Sequence, residues 1–256
     1  MPSLKLGSQE LHYREQGTGG PPLVLVHGAG GSSLHFAELV ALLGRERRVV
    51  ALDLPGHGRS PAFATPPPSP ELLERYRDLV AELAERLGLG RFVPVGHSMG
   101  GAVALHVALA YGDRLAGLVL VATSARLKVA PAIIEAIRDH FVDLPQLMAA
   151  VAYSPASDPQ AVRAWAQQQL QAPQDVVLAD FRACDCFDVR QHLSEGAVRN
   201  RTLVISAADD RLTPPRDQQR LVELIAGARL ETVTRAGHFV LCERPEAVAR
   251  LILDRI

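Results

Sequence analysis

Phe92-Val93-Pro94-Val95-Gly96-His97-Ser98-Met99-Gly100-Gly101 decides how the rest of this sequence is read. A short apolar run enters a glycine-serine-glycine turn, and Ala102 to Ala110 leaves it at helical spacing, so the segment reads strand, sharp turn, helix. In a chain of this composition a G-x-S-x-G match arises by chance roughly 7% of the time, so the setting must decide its meaning. A serine at such a turn stands at the tip of a strand and at the positive end of the following helix. Glycines two residues to either side allow backbones to approach where a Cβ would clash. The setting predicts Ser98 as an exposed nucleophile.

The same alternation extends to both sides. Leu23 to Val26, Arg48 to Leu52 and Leu115 to Ala122 are short apolar runs expected of strands buried on both faces. Leu34 to Leu43 carries helical spacing, and so does Leu72 to Leu87, where Ser69 is the expected cap, Pro70 the first helical residue and Gly88 the stop. Ser3 to Leu6 and Gln9 to Glu15 flank a Gly7-Ser8 turn as a hairpin, and the alternation in the second run suggests an edge strand. Thr202 to Ser206 and Arg229 to Thr234 complete eight strand segments. Repeated β-α-β units with short connections predict an α/β fold: a mostly parallel sheet, helices on both faces, ligands at the carboxyl ends of the strands.

Between Ser124 and Arg201 the strands stop, and helical stretches take over at Ala132 to Phe141, Gln160 to Leu170 and Val176 to Phe181. The expected organisation is a core of residues 1–123 and 200–256, with a helical cap at 124–199 inserted between two strands. Ile133, Ile137, Phe141, Met148, Trp165, Phe181 and Phe187 are the cap's candidates for lining a pocket, although packing within the cap is the favoured reading for any single one of them.

A serine hydroxyl needs a base in reach, and the base needs an orienting acid. Downstream of Ser98, Asp209 and Asp210 follow one strand end and His238 follows another, both on the sheet edge that carries Ser98. An acyl-transfer transition state also needs oxyanion donors. The Met99 N–H is one; the glycine-rich loop His27-Gly28-Ala29-Gly30-Gly31 supplies the other, assigned to Ala29 with Gly30 as second choice.

At these residues the chain resembles the α/β-hydrolase superfamily, and within it the capped serine esterases and carbon–carbon-bond hydrolases. The resemblance rests on His27-Gly28-Ala29-Gly30, Asp53-Leu54-Pro55-Gly56-His57-Gly58-Arg59-Ser60, Gly96 to Gly101, Asp209 to Pro214 and Ala236-Gly237-His238. It spans Leu4 to Arg126 and Asn200 to Ile256, while the cap carries no diagnostic motif. It implies an eight-stranded sheet and a triad of Ser98, Asp210 and His238. Asp210 is implied over Asp209 because the family's acid lies three residues after a glycine whose place Ala207 holds here. His27, His57, His97 and His106 read as structural, while Asp53 ends a strand on the catalytic edge and is explained equally well by local turn bonding.

Serine at the elbow speaks against the related dehalogenases and epoxide hydrolases, which carry aspartate there. Hydrolysis of small or short-acyl carboxylic esters is the expected activity, with a small ester and water as partners, neither nucleic acid nor membrane, and the oligomeric state left open. Carbon–carbon-bond hydrolase, lactonase, thioesterase and cofactor-free perhydrolase share the apparatus, and a small-ligand receptor on the same fold is the non-enzymatic alternative. No cofactor or metal is expected. A net charge of −1 and the lack of any Lys/Arg run give no reason to expect nucleic acid. No signal segment or membrane span is visible, and Cys184, Cys186 and Cys242 follow no zinc spacing, so reduced thiols and a cytoplasmic location are the expectation.

Overall fold

Alternate residues of the parallel strands belong to different cores, and this organises the molecule. In the computed structural model, which describes residues 1–170 and 172–256, Val24 and Val26 face one apolar cluster and Leu23 and Leu25 the other. Strands buried on both sides need no polar alternation, which is why they appear in sequence as continuous apolar runs.

The strands are β1 (Ser3–Leu6), β2 (Gln9–Gln16), β3 (Leu23–Val26), β4 (Val49–Leu52), β5 (Val93–His97), β6 (Leu118–Val121), β7 (Thr202–Ala207) and β8 (Arg229–Val233). They form one eight-stranded sheet in the order β1-β2-β4-β3-β5-β6-β7-β8. β2 is antiparallel to both its neighbours, and β4 through β8 are parallel. The expected edge position of the second strand is corrected here. Residues 9–12 of β2 pair with β1 and residues 13–16 pair with β4, so β1 is the edge. The alternation that suggested an edge reflects a strand with one polar face.

The helices are α1 (Ala37–Leu43), α2 (Ser69–Arg86), α3 (Met99–Tyr111), α4 (Pro131–Asp139), α5 (Leu144–Val151), α6 (Pro159–Gln169), α7 (Gln174–Cys186), α8 (Arg190–Ser194), α9 (Pro215–Leu224), α10 (Val240–Glu243) and α11 (Pro245–Arg255). Leu73, Tyr76 and Leu83 of α2 and Val103 and Val107 of α3 cover one face of the sheet. Leu39 and Leu43 of α1 and Val248 and Ile252 of α11 cover the other. Ser69 is not the cap of α2: Pro68 holds that position without a side-chain bond, and Ser69 is already helical. Gly88 does end the helix. Its φ of +61° lets its own N–H reach the Glu85 carbonyl and that of Leu89 reach Ala84, satisfying two terminal carbonyls.

All five helices from α4 to α8 lie between β6 and β7. The base of this insertion is closed by backbone bonds from Leu127 to Phe187 and from Val189 to Ala125, with an isolated bridge pairing Arg126 and Asp188. No described helix is long and apolar enough to cross a membrane.

Candidate active site

Ser98 separates β5 from α3 in a conformation that L-residues rarely adopt, φ 54° and ψ −118°. The surroundings enforce it. The Ser98 N–H is tied to the Val121 carbonyl at 3.0 Å, and its own carbonyl accepts from Gly101 N–H (2.8 Å) and the Thr123 hydroxyl (2.9 Å). A Cβ on Gly96 would run into the Gly100 backbone, and one on Gly100 into the Val26 and His27 carbonyls. The glycines are therefore a steric requirement of the elbow, and the strain is held by packing on both sides.

His238 follows β8 and is buried, with its Nδ1 against the Asp210 carboxylate at 3.0 and 3.1 Å. Asp210 Oδ1 also accepts the N–H groups of Leu212 and Thr213, each at 2.9 Å, and Oδ2 accepts the Thr213 hydroxyl at 2.7 Å. Burial pushes the Asp210 pKa up, but the charge and hydrogen bond of His238 and the bonds from Thr213 outweigh it, and the carboxyl is held below its ordinary value. Asp209 points elsewhere: its Oδ2 accepts the Ser154 hydroxyl at 2.5 Å. The structure thus brings Asp210, and not Asp209, to His238.

Ser98 and His238 line one cavity of about 160 Å³ together with Gly28 and Ala29. No hydrogen bond joins Ser98 to His238 among the described residues; such contacts tighten when a substrate binds. Met99 opens α3, where a helix's first N–H groups have no partner within the helix. The Gly30 N–H, second choice as an oxyanion donor, is engaged with Asp180 at 3.0 Å, whereas the Ala29 N–H has no partner among the described residues.

The insertion forms the opposite wall of the cavity through Ile133, Met148 and Phe181, for each of which the sequence favours packing within the insertion, and through Leu144 and Leu170. Ile137 and Phe141 instead pack within the insertion, Trp165 stacks on Tyr153, and Phe187 packs into the main core against His106. Arg126 and Lys128 also reach the cavity, paired with Asp188 at 3.8 Å and Asp185 at 3.0 Å.

Two buried carboxylates near the site gave no signal in the sequence. Glu243 is buried, accepts the Gly237 N–H at 2.8 Å and, through its other oxygen, the Ser154 N–H (2.9 Å) and Ser157 hydroxyl (2.6 Å). With the His238 N–H donated to Ala152 at 2.7 Å, this ties the histidine loop to the α5–α6 connection. Asp180 reaches the Gly30 N–H from the insertion, and Thr213 bonds the Asp210 carboxylate through both its N–H and its hydroxyl.

Other polar residues near the site bond to backbone groups. His97 donates from Nε2 to the His238 carbonyl at 2.9 Å; burial and the neighbouring His238 charge lower its pKa to about 3, so it is neutral. His27 receives the Leu54 N–H at Nε2 (3.1 Å) and donates from Nδ1 to the Gly28 carbonyl (2.8 Å). Asp53 accepts the Ser33 and Arg59 N–H groups. Cys184 is buried, Cys186 is exposed, and no group of metal-ligating side chains occurs among the described residues.

The chain is similar to several known proteins. Residues 23–251 match the alpha/beta hydrolase family. Over 263 residues the chain is 28% identical to the 2-hydroxy-6-oxononadienedioate/2-hydroxy-6-oxononatrienedioate hydrolase of Burkholderia vietnamiensis, covering 95% of this chain and 90% of that protein. The enol-lactonase of Burkholderia xenovorans superposes with a TM-score of 0.88 at 25% identity, covering 99% of this chain and 98% of that one. A thermophilic esterase from Thermogutta terrifontis superposes with a TM-score of 0.85 at 29% identity, covering 96% and 92%. With its elbow serine, its strand-end histidine and this family match over most of its length, the chain belongs to the alpha/beta hydrolase family.

Proposed function

We propose that this protein is a serine hydrolase of compact carboxylic esters, working through an acyl-enzyme on Ser98. The observation that carries the reading is His238, paired with Asp210, lining one small cavity with a serine held in a strained elbow. In the first step Ser98 Oγ attacks the ester carbonyl while His238 Nε2 takes its proton; the same proton then goes to the departing alkoxide. In the second step water attacks the acyl-enzyme, His238 again takes a proton, and it returns that proton to Ser98 as the acid leaves. Asp210 holds the imidazole with Nδ1 protonated and stabilises its cationic form. The N–H groups of Met99 and Ala29 receive the oxyanion. A lactone is an internal ester, so the enol-lactonase relative falls within the same chemistry. Residues 124–199 serve as the cap whose side chains set the substrate's size.

Steady-state assays across acyl lengths test this reading. With a cavity of about 160 Å³ roofed by Ile133, Met148 and Phe181, aryl acetates and butyrates should turn over repeatedly. They should do so at least about tenfold faster than emulsified long-chain triglyceride. Faster turnover of the long-chain lipid would contradict a compact substrate. Binding of ester without repeated release would favour a receptor, and exclusive turnover of a diketone would favour carbon–carbon cleavage.

A further inference from the structure

Asp180 lies on α7, inside the insertion, with its side chain wholly buried. Its carboxylate gathers three segments far away in sequence. Oδ2 accepts the Gly30 N–H at 3.0 Å and the His57 Nε2–H at 2.9 Å, and Oδ1 accepts the Tyr76 hydroxyl at 3.0 Å. His57 Nδ1 faces the Pro55 carbonyl at 3.0 Å, so both ring nitrogens meet acceptors, an arrangement that suits the doubly protonated ring. Burial alone would lower the His57 pKa; the Asp180 charge and hydrogen bond outweigh it and hold the imidazole above its ordinary value. A buried histidine and a buried carboxylate thus meet beside the loop that follows β3.

The geometry of that loop gives the pair a purpose. A trans peptide sets its C=O and N–H in opposite directions. The Gly28 carbonyl, which shares a peptide plane with the Ala29 N–H, is held by His27 Nδ1 at 2.8 Å and the Gly31 N–H at 3.1 Å. The next plane is fixed by the Gly30 N–H on Asp180. Ala29 therefore sits between two anchored peptides, with its own N–H unengaged among the described residues and its side of the loop lining the cavity beside Ser98. Of the two anchors, only Asp180 comes from the insertion.

We propose that Asp180 is a positioning residue for ester hydrolysis: by holding the Gly30 N–H it fixes the Ala29 amide as an oxyanion donor, so the insertion preorganises the reaction as well as roofing the cavity. The proposal rests on the serine-hydrolase reading above. It also implies that α7 is a fixed part of the active site, since moving it would release Gly30.

Deleting an oxyanion donor outright costs about 100- to 1,000-fold in kcat, and a donor left in place but misaligned should cost less. The test uses the full chain, an aryl acetate, phenylboronic acid as a tetrahedral adduct of the Ser98 oxygen, and benzyl alcohol as a ligand that fills the cavity without an oxyanion. In Asp180→Ala we expect kcat/KM and phenylboronic acid affinity to fall together, by about 30-fold, with benzyl alcohol affinity within twofold of wild type. Asp180→Asn keeps an acceptor for Gly30 but loses the charge, and should show about a tenfold loss. Tyr76→Phe loses only the bond on Oδ1 and should stay within about threefold.

Folded Asp180 variants that keep wild-type kcat/KM within threefold would overturn the proposal. So would equal losses of boronic acid and alcohol affinity, or a Tyr76→Phe loss as large as that of Asp180→Ala, since either marks general loosening. If Asp180→Ala does not melt cooperatively, Asp180→Asn decides by the same criteria. Wild-type protein that neither turns over the ester nor reacts with a fluorophosphonate would remove the underlying reading itself, an outcome separate from all of these.

Discussion

Replacing Asp210 by asparagine should lower kcat for an aryl ester by about four orders of magnitude, the loss seen when the same change is made in the serine-protease triad. The reason can be read from the contacts. Asparagine can still offer Oδ1 to the N–H groups of Leu212 and Thr213, which Asp210 Oδ1 accepts at 2.9 Å each. Its amide nitrogen then occupies the place of Oδ2 and donates towards His238 Nδ1. The imidazole must respond by carrying its proton on Nε2, the tautomer that cannot accept a proton from Ser98. The fold is retained and the base is disabled. Asp209→Asn should change kcat only a few-fold, because Asp209 meets Ser154 and not the histidine. Steady-state kinetics on the two folded variants separate them, and a larger loss for Asp209→Asn would contradict the pairing described here.

His238→Ala should be more severe still, about six orders of magnitude in kcat, since the hydroxyl then has no base at all. What activity remains would come from the oxyanion donors and from binding. Asp210 acts only through the imidazole, so adding Asp210→Asn to His238→Ala should cost little more. A double variant much slower than His238→Ala would mean that Asp210 has a second task in the reaction. Asp210 keeps its bonds to Leu212 and Thr213 when the imidazole is removed, and circular dichroism should show the fold intact.

Much of this site was legible in the sequence because its signals are local. The elbow is a run of adjacent residues, and Leu23 to Val26 or Thr202 to Ala207 declare themselves as strands because both of their faces are buried. The register of Asp210 followed from its neighbours. Asp180 and Glu243 were not legible, since a single acid in a helix carries no mark of being buried. Their partners, Gly30 and Ser154, lie 150 and 89 residues away. The insertion was only partly legible for a related reason. α5 and α8 are only eight and five residues long, too short for a repeating apolar spacing to mark them as helices. The position of β2 was missed because edge or interior is a property of the whole sheet, and the alternation of one strand reports only which of its faces is wet.

Treating the wild-type protein with a fluorophosphonate, followed by intact-mass analysis and peptide mapping, tests Ser98 as the nucleophile most directly. A single phosphonyl adduct per chain, carried by the peptide that contains Ser98 and absent from folded Ser98→Ala, is the expected result. An adduct that persists in Ser98→Ala, or a protein that hydrolyses esters while remaining unmodified, would contradict it.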